Sequence, residues 1–234
     1  MDEDVKKTKD NQKEQRQSGR PPRTSEALKV TVENIPAENK RGASLAELTD
    51  LKAIKVSANS TTRGLAGAMA KLAREQRRVE ILAGSAACVN TAVKAIVTAR
   101  RYLDEDPVDV LLVATVATRN AAGRDRRKAL ELAMCPYVKA NTNIYAAESV
   151  EYSAGANTST QALAGALAAR FRDGKSAVVK CIGATPVLRA LTACGLGAAY
   201  ADAKVDIFPV FETATQKEGD GTVSVMVLNM RLVL

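Results

Sequence analysis

Five cations and one anion fall within ten residues at Arg119-Asn-Ala-Ala-Gly-Arg-Asp-Arg-Arg-Lys128. Arg119, Arg124, Arg126, Arg127 and Lys128, arranged about the turn-forming Gly123, would make a cationic loop that reaches a groove and contacts phosphates, each neutralised phosphate releasing counterions. Arg63, the Arg77-Arg78 pair and Lys94 are the second tier of nucleic-acid-binding candidates. Each also has a plain structural reading. An Arg-rich loop is commonly just solvated, Arg77-Arg78 suit the negative end of a helix dipole, and Lys94 suits the polar face of an amphipathic helix.

Other chemistries are short of parts. The 234 residues include no His and no Trp, and aromatics are 3%. Ser-His-Asp and Cys-His nucleophiles, imidazole bases and histidine metal sites are therefore excluded, and readers that work chiefly by stacking bases are disfavoured. Cys88, Cys135, Cys181 and Cys194 lack a paired short spacing and sit among Ala and Val, so they read as reduced, apolar core residues rather than zinc ligands or disulfides. Asp109 and Asp206 occupy equivalent strand positions, which points to a structural role rather than a catalytic dyad. Gly64 and Gly67 make neither a full Gly-x-Gly-x-x-Gly nor a Gly-Lys-Thr; Gly67 and Gly165 are assigned to close helix packing. No catalytic residue, metal or cofactor is assigned, and the chain is read as non-enzymatic.

The elements that must position these residues come in two sets. At roughly 150 residues per domain, the length allows one domain or two. Residues 1–50 carry ten cations and ten anions in a polar setting that cannot bury enough apolar area to offset ordering, and are read as a tail, disordered or bound to protein partners. Within it Ala27–Ile35 alternates weakly, as an edge strand or partner-bound segment does, and Ser44-Leu-Ala-Glu47 has capping-box spacing. Beyond it the chain repeats. Asn59-Ser-Thr-Thr-Arg-Gly-Leu-Ala-Gly-Ala68 aligns without gaps on Asn157-Thr-Ser-Thr-Gln-Ala-Leu-Ala-Gly-Ala166, an offset of 98, and Val108-Asp-Val meets Val205-Asp-Ile one deletion later.

Each copy reads β-α-β-α-β-β. In the first, Ile54–Ala58 and Val79–Ala83 are strands, and Ser60-Thr-Thr and Ser85 supply N-caps. Leu65, Ala68, Met69 and Leu72, and then Val89, Ala92, Val93, Ile96 and Val97, make helical stripes, and strands near 108–117 and 129–138 flank the basic turn. In the second copy Thr185-Pro186 is expected as N-cap and N1. The fold class is α/β: two tandem β-α-β-α-β-β two-layer sandwich domains, at 51–140 and 146–234, preceded by the polar tail of residues 1–50.

Val56-Ser-Ala-Asn-Ser, Leu65-Ala-Gly-Ala68, Val79-Glu-Ile, Val89-Asn-Thr-Ala-Val-Lys-Ala95-Ile, Ala99-Arg100 and Val108-Asp-Val resemble the stage V sporulation protein S family, of the Alba-like superfamily of nucleic-acid-binding folds. The resemblance covers about residues 52–138 well and 150–234 more loosely. It implies a small unit that pairs into dimers and lays a basic surface and hairpin arms along a nucleic-acid backbone; a tandem copy would form a pseudo-dimer within the chain or a homodimer between chains. In the second copy Leu188 and Thr192 replace Asn90 and Lys94.

Charge separates the copies. Residues 51–145 hold 16 Lys+Arg against 8 Asp+Glu, residues 146–234 hold 8 of each, and the tail is neutral, so the whole net +8 sits on the first copy. The hairpin counterpart Glu212–Gly221 holds one cation and three anions. Such a footprint is expected of phosphate binding, to DNA or RNA. The alternative is a structural or adaptor subunit of a large cytoskeletal, axonemal or ribonucleoprotein assembly. An acidic opening without a hydrophobic run fits neither a secretory nor a transit segment, and no run approaches a membrane span. The expected setting is intracellular, cytoplasmic by default, with nucleus or cytoskeleton and cilium open.

Overall fold

The structure is a computed structural model and describes residues 32–34, 52–119, 127–139, 149–215 and 222–233. After strand β1 (Val32–Asn34), the first unit runs β2 (Lys52–Val56), α1 (Thr62–Arg74), β3 (Val79–Ala83), α2 (Ala86–Tyr102), β4 (Val108–Arg119) and β5 (Arg127–Val138). The second repeats it as β6 (Ser149–Ala154), α3 (Thr160–Arg172), β7 (Ser176–Cys181), α4 (Ala184–Ala201), β8 (Lys204–Thr215) and β9 (Thr222–Val233). The expected pattern is present twice. The hairpin strands run farther than the alternation implied, because Arg119 still pairs with Arg127.

Local chemistry sets the helix ends. Thr61 Oγ1 accepts the Gly64 N–H at 3.2 Å, Ser85 Oγ that of Cys88 at 3.2 Å, and Ser159 Oγ that of Ala162 at 3.3 Å, each satisfying an otherwise orphaned donor. The expectation for α4 is corrected: its N-cap is Gly183 at φ 99°, with no side-chain cap, and Thr185 and Pro186 lie inside the first turn. A left-handed backbone needs Gly there, and Pro is tolerated anywhere in the first turn, whose N–H groups lack intrahelical acceptors. Behind α1 and α3 the chain reverses through Gln76 at φ 56° and Gly174 at φ 70°, equivalent positions of the two copies.

The strands form one sheet in the order β1-β2-β3-β5-β4-β8-β9-β7-β6. In each unit the first two strands are parallel and the hairpin antiparallel. Both crossovers, from β2 to β3 and from β3 to β4, advance the same way along the sheet, and with the handedness such connections nearly always take they put both helices of a unit on one face, where the helices pack together. The units meet where β4 pairs antiparallel with β8 at Leu112↔Ile207. Both residues are fully buried, and one apolar core runs through both units; a buried Leu or Ile contributes about 1.5–3 kcal/mol.

Close helix packing falls elsewhere than expected. A Cβ at Gly67 or Gly165 would meet nothing within 4 Å, so neither is a packing glycine. Gly195 and Gly197 are. A Cβ on Gly195 would lie 3.1 Å from Val116 and 3.2 Å from the Ala114 and Thr115 backbone, and one on Gly197 would lie 3.0 Å from the Ala164 carbonyl of α3. Only Gly lets α4 lie this close to both units. The strand expected in 27–35 appears at Val32–Asn34, antiparallel to β2; the capping-box turn at 44–47 lies outside the described residues.

Candidate nucleic-acid interface

Strand directions gather part of the expected site. β2, β3 and β4 run the same way, so their C-terminal ends share one end of the first unit. That end holds the last residue of β4 and the first of β5, Arg63 in the first turn of α1, and the N-termini of α1 and α2. Arg119 and Arg127 face each other in the β4–β5 ladder and Lys128 pairs with Thr118; Arg124 and Arg126 lie outside the described residues. Arg77 and Arg78 precede β3 at the opposite end, where Arg77 Nε sits 3.2 Å from Glu75. Lys94 is exposed midway along α2. Thus Arg63 shares the end of the unit at which β4 stops and β5 begins, and Arg77-Arg78 stand at the other end. In the second unit the offset of 98 puts Gln161, Lys175, Ser176 and Thr192 at the places of Arg63, Arg77, Arg78 and Lys94.

Two cavities flank this architecture. An apolar one of about 250 Å³ lies at the base of the arm, lined by Ile81, Val89, Leu130, Leu132 and, from the other unit, Leu188. A cleft of about 340 Å³ separates the C-terminal half of α2 from β8. There Lys139 Nζ donates to the Leu103 and Asp104 carbonyls at 2.6 and 2.7 Å, neutralising the α2 terminus.

The junction between units is built from groups to which sequence reasoning gave no such role. Two residues beyond Leu112↔Ile207, the register sets Val110 opposite Pro209, which has no N–H to give. The Val110 N–H is instead donated to Asp109 Oδ1 at 2.7 Å, and Arg100 Nη1 donates to the Pro209 carbonyl at 3.2 Å. Arg100 also grips Asp109 through Nε and Nη2 at 3.0–3.2 Å, and the Tyr137 hydroxyl donates to Asp109 Oδ2 at 2.9 Å. Phe208 closes the cluster. Its ring lies 5.8 Å from the Arg100 guanidinium and meets Tyr137 edge-on, with centroids 5.8 Å apart. Asp109 is 6% exposed, so these partners replace the water its carboxylate has lost, and burial beside it pushes the Tyr137 hydroxyl well above its ordinary pKa.

A second device is duplicated. Arg74 Nη2 donates to the Tyr102 carbonyl at 3.0 Å and Arg172 Nη2 to that of Tyr200 at 2.7 Å, tying the first helix of each unit to the end of its second. Arg74 and Arg172, like Tyr102 and Tyr200, stand 98 apart, the signal by which the sequence could have yielded them. Cys88, Cys181 and Cys194 are buried and Cys135 half-buried, all free. Burial pushes the Cys181 and Cys194 thiols to about 12, and raises that of Cys135. Among the described residues no three acidic or sulfur side chains gather as a metal cluster, and no helix is long and apolar enough to cross a membrane.

Two β-α-β-α-β-β sandwiches sharing one sheet and one core make the chain a duplicated Alba-like α/β protein. The family model of stage V sporulation protein S matches residues 52–137 and 152–231, one stretch in each unit. The chain belongs to that family, as a tandem duplication.

Proposed function

We propose that the chain is a non-enzymatic nucleic-acid-binding protein that contacts phosphates through its basic first domain, residues 51–140, with residues 146–234 as a charge-neutral second domain and residues 1–50 as a tail. The observation that supports this is the coincidence of charge and topology: the entire +8 lies in one unit, and Arg63, two helix N-termini and the facing ends of β4 and β5, between which the basic stretch runs in sequence, fall at one end of it. Helix N-termini and Arg side chains favour the same ligand, a phosphate. With few stacking groups, affinity comes from the backbone and little from base identity. The test is a salt titration of duplex DNA and RNA binding for wild type and for the variant with Arg124, Arg126, Arg127 and Lys128 changed to Ala. Wild type should bind at micromolar levels near ~50 mM salt, with a slope of log K against log salt steeper than the variant's by about 0.9 for each duplex phosphate lost. Absent binding, or identical slopes, overturns the reading.

A second reading follows from the other unit. It keeps the whole fold at zero net charge, as a scaffold needs and a phosphate reader does not. On that reading the chain is an adaptor subunit of a large assembly joined through residues 1–50; a chain lacking them that still incorporates normally counts against it.

A further inference from the structure

The duplication supplies an internal comparison at the two rims of the sheet. β2 and β6 are equivalent strands, each parallel to the second strand of its unit. In the first unit the outer edge of β2 carries an antiparallel strand from outside the family segment, with Val32, Glu33 and Asn34 opposite Ile54, Ala53 and Lys52. Among the described residues nothing pairs with the outer edge of β6. That edge is one residue longer than β2 and largely exposed, with Val150 at 38%. Natural sheets seldom leave such an edge without a cover or a guard. Lys180, on the inner neighbour β7, holds the Glu151 carboxylate at 2.8 Å and that of Glu212 at 3.3 Å, so the acidic charge on β6 is partly offset within its own sheet and turned toward β7 rather than the open edge.

We propose that the outer edge of β6 docks the outer edge of β1 from a second copy of this chain, joining the two sheets edge to edge. The occupant follows from the count of edges. A β1 that left its own β2 to cover a neighbour's β6 would uncover one edge to cover another and gain no ladder. A β1 that stays seated on β2 keeps an outer edge that nothing among the described residues pairs with, and pairing that edge with β6 satisfies both rims at once. The two surfaces differ, so the contact is heterologous: every copy offers one β1 and one β6, and association runs head to tail. Three residues of β1 give a small interface, so the assembly is weak and concentration-dependent.

The experiment uses the full chain and two variants. Val32→Pro removes a strand donor from β1, and V150K/S153K sets two lysines on β6, the guard that soluble edge strands use. Sedimentation velocity from about 10 μM to about 0.5 mM should show wild type growing beyond a dimer, and each variant alone remaining a monomer. Mixed in equal amounts, the variants should form a 1:1 dimer that grows no further, because one brings only a working β6 and the other only a working β1. That rescue also shows both variants folded. A wild type that stays monomeric throughout, variants that associate like wild type, or a mixture that stays monomeric overturns the proposal. These outcomes are independent of DNA or RNA binding.

Discussion

The two units keep the same interior and differ where they meet solvent and where they meet each other. Both hold hydroxyl caps on their first helices and the Arg-to-Tyr-carbonyl tie. At the junction the equivalent residues part company. Arg100 and Val97 of α2 stand where α4 has Ala198 and Gly195, and Asp109 faces Tyr137 across the ladder where Asp206 faces Arg231. Gly195 lets α4 lie on the β4 backbone; the bulkier Val97 lines the cleft between α2 and β8. Once two copies of a unit join edge to edge in one chain, each needs only one half of a shared contact. Substitution is then free wherever the partner supplies the other half.

Removing the Arg100 side chain tests that asymmetry hardest. Arg100→Ala leaves the Asp109 carboxylate buried without its cation, and urea unfolding should show a loss of about 3–5 kcal/mol. The double change R100A/D109N should recover part of it, since no buried charge is left behind; equal losses in both would mean that the packing of Arg100, not its charge, matters. Next comes Gly195→Val, which writes the first unit's residue into the second. Its side chain would press on the Thr115 backbone and push α4 off β4, at a cost of about 1–3 kcal/mol by the same assay. The mirror change, Val97→Gly, meets no close contact of that kind but empties a buried core position, and should cost a comparable amount, about 1–3 kcal/mol, from lost apolar burial and the lower helix propensity of Gly.

Smaller effects report on single groups. Maleimide should label Cys135 first in the folded chain, while Cys181 and Cys194, with thiols pushed to about 12 by burial, react only on unfolding. Simultaneous labelling of all cysteines would contradict the core. Burial also raises the Asp206 carboxyl above its ordinary value, with Arg231 opposing. A carboxyl whose pKa is raised on folding favours the fold only while protonated, so its contribution turns unfavourable as pH climbs through the range between the unfolded and folded values. Asp206→Asn should leave the melting midpoint unchanged near about pH 3 and raise it slightly near about pH 7.

Much of this architecture could be read before any coordinate. The offset of 98 exposed the duplication, and hydroxyls ahead of apolar stripes placed both helix starts of the first unit. Alternation placed the hairpins, though two residues short, because pairing continues into charged positions where alternation carries no signal. Gly67 and Gly165 misled because a repeated glycine looks like a packing glycine until its neighbours are known. That Arg77 and Arg78 stand at the opposite end of the unit from Arg63 was not legible, because charge sums ignore strand direction.

Periodicity, caps and charge counts are local quantities, and they determined the two β-α-β-α-β-β units and the confinement of the positive surplus to the first. What they left open is set by contacts across long sequence separations. Arg100 reaching the Pro209 carbonyl, Gly195 lying on β4 and Val32–Asn34 pairing along β2 each join residues that no local pattern links. Only the folded chain brings those groups to hydrogen-bonding and van der Waals range, where the energy of a pairing first exists.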